Sequence, residues 1–155
     1  VKAIDLIHKY AGPRVLVLGE VDRLLNPEWM NPRKETAEKP KDTLELDATV
    51  HYKPNGSAYD LVVDSGALEH ELDIYGSLKK MTQRVKTGGV IFHLSPISMV
   101  NWGYWNINPK AFKEFYKDWE ILEEWAVKKE HTVPLMYDRA SIASEVSMYF
   151  VARKI

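Results

Sequence analysis

The chain has 155 residues, of which 45% are apolar and 28% charged, and its 21 basic and 22 acidic side chains give a formal net charge of −1. We therefore expect residues 1–155 to form a single globular domain with a substantial core and with no nucleic-acid or membrane partner. No apolar run reaches the roughly 18 residues that a membrane span needs. Cysteine is absent, which excludes disulfides and thiolate chemistry and is compatible with the cytoplasmic location that we expect.

The first predicted elements are a short helix and a buried strand. Residues 2–11 place four apolar side chains at roughly helical spacing before a Gly-Pro pair ends the segment. Residues 14–19, RVLVLG, form a continuous apolar run that ends in Gly19. Such a run is typical of a strand that is covered on both faces in a parallel sheet.

The next region begins with a proline-rich polar segment and continues with a segment in which polar and apolar residues alternate. Residues 21–41 are predicted to be an exposed loop, with a lid formed by residues 27–40 as the alternative. Residues 42–47, DTLELD, alternate and predict a second strand. Only residues 48–58 separate it from the next apolar run, which is too few for a parallel crossover with its own helix. A third strand–helix unit is therefore expected to be reduced or missing.

Residues 59–96 predict a complete strand–helix–strand unit. Residues 60–64 form the first strand and residues 90–94 the second. Between them, five apolar residues three or four apart predict the buried face of a helix that opens on Leu68-Glu69-His70: Leu72, Tyr75, Leu78, Met81 and Val85. Residues 86–89, KTGG, supply a left-handed turn after that helix.

The C-terminal third is predicted to be an aromatic loop, a helix and two strands. The helix starts at Asn108-Pro109, and its apolar face consists of Ala111, Phe112, Phe115 and Tyr116. Residues 119–128 and 144–153 alternate with no helix between them, which indicates an antiparallel hairpin. Together these patterns favour an α/β three-layer sandwich, Rossmann-like, with a mostly parallel sheet and a C-terminal antiparallel hairpin.

In open α/β sheets, ligands bind beyond the carboxyl ends of the strands, near the point where the strand order reverses. The candidate site residues are those that follow the predicted strands. They are Gly19, Glu20 and Asp22 after the first strand, Glu45 and Asp47 at the end of the second, Asp64, Ser65 and Gly66 after the third, and His93 on the fourth.

Two motifs in this region are specific enough to indicate a family. DLVVDSGALEH (residues 60–70), followed one helix later by VKTGGV (residues 85–90), resembles class I S-adenosylmethionine-dependent methyltransferases. In that family the first motif is the fourth strand with its "LEH" helix entry, and the second is similar to the "LKPGG" turn before the fifth strand. HLSP (residues 93–96) and the segment from Asn108 to Tyr116 also resemble small-molecule members. This chain departs from the family in having Gly19 alone where a glycine-rich loop is usual.

The resemblance implies S-adenosylmethionine as cofactor and methyl transfer to an unidentified small molecule. It places Gly19 under the methionine part, Glu20 or Asp22 near the ammonium group, and Glu45, with Asp47 second, on the ribose hydroxyls. Asp64, Ser65 and Gly66 would line the pocket near the sulfonium. His93 is the first candidate base, because the ordinary pKa of a histidine side chain lies near neutrality, and His70 is the second.

Other interpretations stay open at this point. His70 at a helix entry, His93 on a strand, and the aromatic residues Trp102, Tyr104 and Trp105 are each compatible with packing alone. The remaining histidines show no metal-ligand spacing, so no metal is expected. The single glycine after the first strand keeps a non-catalytic binding or interaction protein on a degenerate methyltransferase fold as the alternative. A dinucleotide oxidoreductase ranks below both, since its Gly-x-Gly-x-x-Gly turn is absent from the sequence.

Overall fold

A mixed seven-stranded sheet forms the centre of the protein in the computed structural model, which describes residues 1–19, 42–44, 59–129, 131–135 and 145–155. The strands are β1 (Val15–Gly19), β2 (Asp42–Leu44), β3 (Tyr59–Ser65), β4 (Val85–Pro96), β5 (Glu120–Lys128), β6 (His131–Pro134) and β7 (Ser147–Arg153). Their order in the sheet is β2-β1-β3-β4-β7-β5-β6. The first four of these are parallel neighbours, and β7 runs antiparallel to both β4 and β5.

Helices cover both faces of this sheet, so the predicted three-layer sandwich is confirmed. On one face, α1 (Ala3–Tyr10) packs Leu6 and Ile7 into a core that includes Val17 of β1. On the other face lie α2 (Ile74–Gln83) and α3 (Pro109–Phe115), which bury residues such as Met81 and Phe112 against alternate strand residues. Strand β1 is thus buried from both sides, as its continuous apolar run predicts. No helix in the described parts of the chain combines the length and apolar character needed to cross a bilayer.

The helix predicted after residue 68 is split in two. Leu68–His70 forms a 3₁₀ turn, and α2 begins only at Ile74, where the Asp73 side chain accepts a hydrogen bond from the Gly76 backbone N–H. The predicted buried face was wrong at its N-terminal end, because Leu72 and Tyr75 are 70% and 62% exposed. Val85, which is buried as predicted, belongs to β4 and not to the helix.

The turn between α2 and the following strand matches its sequence. Gly88 has a φ of 80°, the left-handed conformation predicted for the KTGG segment, although residues 86–89 lie within the bounds of β4. Helix α3 begins as predicted, with the Asn108 side chain accepting a hydrogen bond from the Lys110 N–H. Ala111, predicted to lie on its apolar face, is exposed.

The C-terminal hairpin is confirmed in the pairing of β5 with β7, but its connection carries a strand that was not predicted. Strand β6 pairs antiparallel with the outer edge of β5. It is four residues long and ends in Pro134, which suits the end of an edge strand because proline cannot donate a ladder hydrogen bond. The predicted loop or lid at residues 27–40 and the shortened segment at residues 48–58 lie outside the described residues.

Candidate functional site

The carboxyl ends of β1 and β3 meet at the point where the strand order reverses, since β2 lies on one side of β1 and β3 on the other. Gly19 is paired in register with Ser65 and has a φ of 93°. A Cβ at Gly19 would overlap the Ser65 carbonyl oxygen and would lie 3.0 Å from the Ala67 Cβ. Only glycine fits this close approach, and it leaves bare backbone at the position where ligands bind in such sheets.

Beside these strand ends lies a pocket of about 160 Å³. Its wall is mainly apolar and includes three serine side chains and one carboxylate. The lining residues are Ser65, Gly66, Glu69, Leu94, Ser95, Pro96, Met99, Trp102 and Ser147. The pocket is therefore built from the ends of β3, β4 and β7, the 3₁₀ turn and the aromatic loop.

The aromatic loop, residues 98–107, is fixed by hydrogen bonds to backbone carbonyl groups of the 3₁₀ turn and of Glu71, the residue that follows it. The backbone N–H of Tyr104 donates to the Glu69 carbonyl oxygen at 2.8 Å, and Trp105 Nε1 donates to the Glu71 carbonyl oxygen at 2.9 Å. A Cβ at Gly103 would lie 2.8 Å from Glu69 Cγ, so Gly103 makes room for that side chain. These contacts hold Trp102 against the pocket.

Glu69 is the acidic residue of the pocket, and it is only 1% exposed. Its Oε1 atom lies close to Gly66, where an added Cβ would approach to 2.9 Å. The Nε2 atom of His70, whose side chain is 48% exposed, is 4.0 Å from the same oxygen. The pocket wall therefore contains a buried carboxylate, and a half-exposed histidine lies close to that carboxylate.

Asp64 and His93 form a buried network behind the pocket. They are register partners on β3 and β4, so their side chains lie on the same face of the sheet. His93 Nδ1 is 2.6 Å from Asp64 Oδ2, and His93 Nε2 is 2.6 Å from the Tyr116 hydroxyl. The other Asp64 oxygen accepts hydrogen bonds from the backbone N–H groups of Ala67 and Leu68, at 3.0 and 3.2 Å. The network thus fixes the loop that carries Gly66.

All three side chains of this network are fully buried, at 0% exposure. Burial, and secondarily the negative charge of Asp64, raises the pKa of Tyr116 well above its usual 10.0, so its hydroxyl stays protonated. In the tautomer that has its hydrogen on Nδ1, His93 donates to Asp64 through Nδ1–H and accepts from the Tyr116 hydroxyl at Nε2. Before His93 can accept a proton from a ligand, one of these bonds has to break.

The structure brings together only some of the predicted site residues. Gly19, Ser65 and Gly66 converge at the strand ends. Asp64 and His93 lie behind them in the core, and His70 lies beside Glu69. The remaining predicted residues fall outside the described residues: Glu20, Asp22, Glu45 and Asp47.

The sequence alone did not assign a site role to several residues that the structure places in or behind the pocket, among them Glu69, Ser95, Met99 and Tyr116. Glu69 and Ser95 belong to motifs that were recognised, but they were not assigned a site role. Met99 lies in an irregular loop that has no motif. Tyr116 was predicted only as a buried helical residue, and no local signal links its hydroxyl to His93.

Comparison with known proteins finds similarity in three dimensions only. No protein-family model matches the sequence, and no curated protein matches it significantly. TehB from Haemophilus influenzae superposes with a TM-score of 0.62 at 16% identity over 99% of this chain, which spans 61% of the TehB chain. The N-methyltransferase NodS from Bradyrhizobium japonicum WM9 gives 0.59 at 13% identity, covering 98% of this chain and 92% of its own.

A third similar structure is a complex that contains the Haloferax volcanii Trm112 methyltransferase activator. The matched chain of that complex superposes with a TM-score of 0.55 at 12% identity, over 97% of this chain and 92% of the matched chain. At such identities the similarity shows the fold and not the substrate. The strand order, the close approach at Gly19 and these neighbours together show that the chain has the fold of class I S-adenosylmethionine-dependent methyltransferases.

Proposed function

We propose that this protein transfers a methyl group from S-adenosylmethionine to a small-molecule acceptor. The observation that carries the proposal is the meeting of Gly19 with Ser65 and Gly66 at the reversal point of the sheet. Both glycines have positive φ angles, 93° and 65°, and neither presents a side chain toward the strand ends. This cradle of bare backbone fits a cofactor that needs close main-chain contact.

The proposed roles follow from this arrangement. Gly19 underlies the methionine part of the cofactor, with Ser65 and Gly66 near the sulfonium. Asp64 acts from behind by holding the backbone after Ser65 through its two accepted hydrogen bonds. Glu20 or Asp22 near the ammonium group, and Glu45 or Asp47 on the ribose, complete the proposed set.

The bound cofactor supplies an electrophilic methyl group, and its transfer is an in-line displacement that depends mainly on alignment. The contribution of the protein is therefore to hold an acceptor in line with that methyl group and to exclude water. The pocket that Ser65 and Gly66 line supports this proposal, since it shares these residues with the cradle. His93 as base remains a prediction, and its network of hydrogen bonds gives it a positioning role in any case.

Isothermal titration calorimetry with S-adenosylmethionine and S-adenosylhomocysteine tests the proposal, with NAD as the comparison ligand. We expect both adenosyl compounds to bind and NAD to give no heat. If the folded protein binds neither adenosyl compound, methyl transfer is refuted. That result would favour the non-catalytic binding protein, for which the single glycine after β1 is the supporting observation. Tight NAD binding would instead indicate an oxidoreductase.

A further inference from the structure

We infer that the pocket at the ends of β3 and β4 binds one uncharged aromatic ring, which it selects through apolar contact with Leu94, Met99 and Trp102. Naming the ring compound as the methyl acceptor rests on the proposed function. The selection itself depends only on the pocket. Four features of the pocket support it: the surface that the wall offers, its hydrogen bonding, its size and its preformed shape.

The surface that the wall offers to a ligand is mainly apolar. Three of its polar side chains are almost completely covered, at exposures of 1%, 1% and 0%: Ser65, Glu69 and Ser95. Leu94, Met99 and Trp102 line the same pocket and stay partly exposed. A ligand therefore contacts mainly apolar atoms, and the removal of apolar surface from water is what stabilises the complex.

Two further polar groups of the wall are hydrogen-bonded within the protein. The Ser147 hydroxyl donates to the Met99 sulfur at 3.1 Å, and the Gly66 backbone N–H donates to the Leu94 carbonyl oxygen at 3.2 Å. An ion that enters such a pocket loses hydration that apolar side chains do not replace. The aromatic face of Trp102 offsets only part of this cost for a cation. An uncharged ring loses little hydration and is therefore favoured.

The size of the pocket matches a single six-membered ring. Its volume is about 160 Å³. An apolar cavity of about 150 Å³ holds one benzene molecule. Trp102 offers an aromatic face or edge for offset or edge-to-face packing with such a ring, and the Met99 thioether makes favourable contact with a ring edge.

The loop that carries Met99 and Trp102 is held by hydrogen bonds, so the pocket exists before a ligand binds. The Asn106 side chain accepts from the Met99 backbone N–H at 2.8 Å, and the Ile107 N–H donates to the Pro96 carbonyl oxygen at 2.7 Å. The Trp102 N–H donates to the Met99 carbonyl oxygen at 3.3 Å, which places both residues in one turn. A preformed pocket binds a rigid ring with little loss of conformational entropy.

In the proposed reaction, the ring carries the acceptor atom in a hydroxyl group. A hydroxyl is uncharged at neutral pH, whereas an alkylamine is protonated. The hydroxyl oxygen forms the bond to the methyl carbon while the carbon–sulfur bond breaks and its electron pair passes to sulfur. The hydroxyl proton leaves to solvent water. The products are the methyl ether, S-adenosylhomocysteine and a hydrated proton.

Three ligands of matched shape test the selection: benzyl alcohol, benzylamine and benzoate, which are neutral, cationic and anionic at pH 7. Each is titrated into the protein by calorimetry, with and without S-adenosylhomocysteine. We expect benzyl alcohol to bind about 10-fold or more tightly than either ion, because each ion loses more hydration on entering an apolar pocket.

Substitutions in the wall test whether this pocket is the binding site. Trp102→Ala should weaken benzyl alcohol by about 5- to 20-fold, since an aromatic contact and its buried area are lost together. Met99→Ala should weaken it by about 2- to 5-fold. Tyr104→Ala and Val100→Ala are the matched controls, because these residues are 65% and 79% exposed and are not among those that line the pocket. Neither control should change the three affinities.

The inference is overturned if benzylamine or benzoate binds as tightly as benzyl alcohol, if none of the three binds, or if Trp102→Ala and Tyr104→Ala weaken benzyl alcohol equally. Circular dichroism confirms that each variant is folded, and Met99→Ala gives a second readout if Trp102→Ala is not. Failure of S-adenosylhomocysteine to bind while the preference for benzyl alcohol persists refutes methyl transfer and supports the apolar pocket. Binding of S-adenosylhomocysteine without any of the ring compounds refutes this inference alone.

Discussion

The hydrogen bond between Tyr116 and His93 gives the sharpest prediction for stability. Tyr116 is 0% exposed, and its ring packs against Phe112, Trp119 and Phe150 with centroid distances of 6.0, 5.0 and 5.4 Å. Replacing it by phenylalanine keeps these ring contacts and removes only the hydroxyl. His93 Nε2 then loses its partner at 2.6 Å inside the core.

The expected cost follows from that geometry. A buried polar atom that loses its hydrogen-bond partner destabilises a protein by about 1–3 kcal/mol, whereas loss of an exposed hydroxyl costs little. With a urea m-value of about 2 kcal/mol/M for a chain of this size, the unfolding midpoint should fall by about 0.5–1.5 M. Tyr104→Phe is the matched control, since Tyr104 is 65% exposed.

The measurement is urea unfolding of wild type, Tyr116→Phe and Tyr104→Phe, followed by far-ultraviolet circular dichroism. We expect only Tyr116→Phe to shift, with an unchanged m-value. Coincident curves for all three proteins would show that the hydroxyl is not the partner of His93. In that case His93 Nε2 would be free to accept a proton, which would favour His93 as the base.

Three further predictions concern pH and the strand ends. Burial raises the pKa of Tyr116, so the stabilising contribution of its hydroxyl is complete below about pH 10 and is lost as pH rises toward the higher folded-state pKa. In urea unfolding measured at increasing alkaline pH, the free energy of unfolding should therefore fall less steeply for Tyr116→Phe than for wild type. Equal slopes for the two proteins would contradict this prediction. The hydrogen bond from Lys86, and then that from a backbone N–H, lowers the pKa of Asp60 below its usual 3.8. The stabilisation from ionised Asp60 is present above about pH 4 and is lost as pH falls through the lower folded-state pKa. In urea unfolding at decreasing pH, Asp60→Asn should therefore lose less stability than wild type. Equal losses would exclude a stabilising pair between Asp60 and Lys86. Gly19→Ala should cost more stability and more S-adenosylhomocysteine affinity than Gly88→Ala. Both glycines have a positive φ, but an added Cβ meets no atom within 4 Å at Gly88, whereas at Gly19 it overlaps the Ser65 carbonyl oxygen. Equal losses for the two variants in urea unfolding and calorimetry would refute the close approach at Gly19.

The sequence predicted the fold well wherever periodicity and punctuation acted within one element. The apolar run before Gly19 and the Gly-Gly turn after α2 each determined a local structure that tertiary packing did not change. The buried face of α2 was predicted too long because the 3₁₀ turn at Leu68–His70 interrupts the helical period before Ile74. Counting every third or fourth residue across that break placed Leu72 and Tyr75 on the wrong face.

The candidate site was less predictable, since its residues meet through contacts between distant elements. Asp64 and His93 were chosen as polar residues at strand ends, and they do lie side by side. Their orientation into the core depends on Tyr116 of the segment after α3, which no local pattern reveals. Glu69 was interpreted as a helix-entry carboxylate, whereas the packing of Gly66 and Gly103 around it places it in the pocket wall.

The central claim is that the carboxyl ends of β1 and β3 hold an adenosyl cofactor. A crystal structure of the protein with S-adenosylhomocysteine tests it directly. We predict that the ligand lies across these strand ends, in van der Waals contact with Gly19 and Gly66, with its sulfur facing the pocket that contains Glu69 and Ser95. A ligand bound elsewhere on the surface, or a crystal grown with excess ligand in which the strand ends stay empty, would contradict the claim.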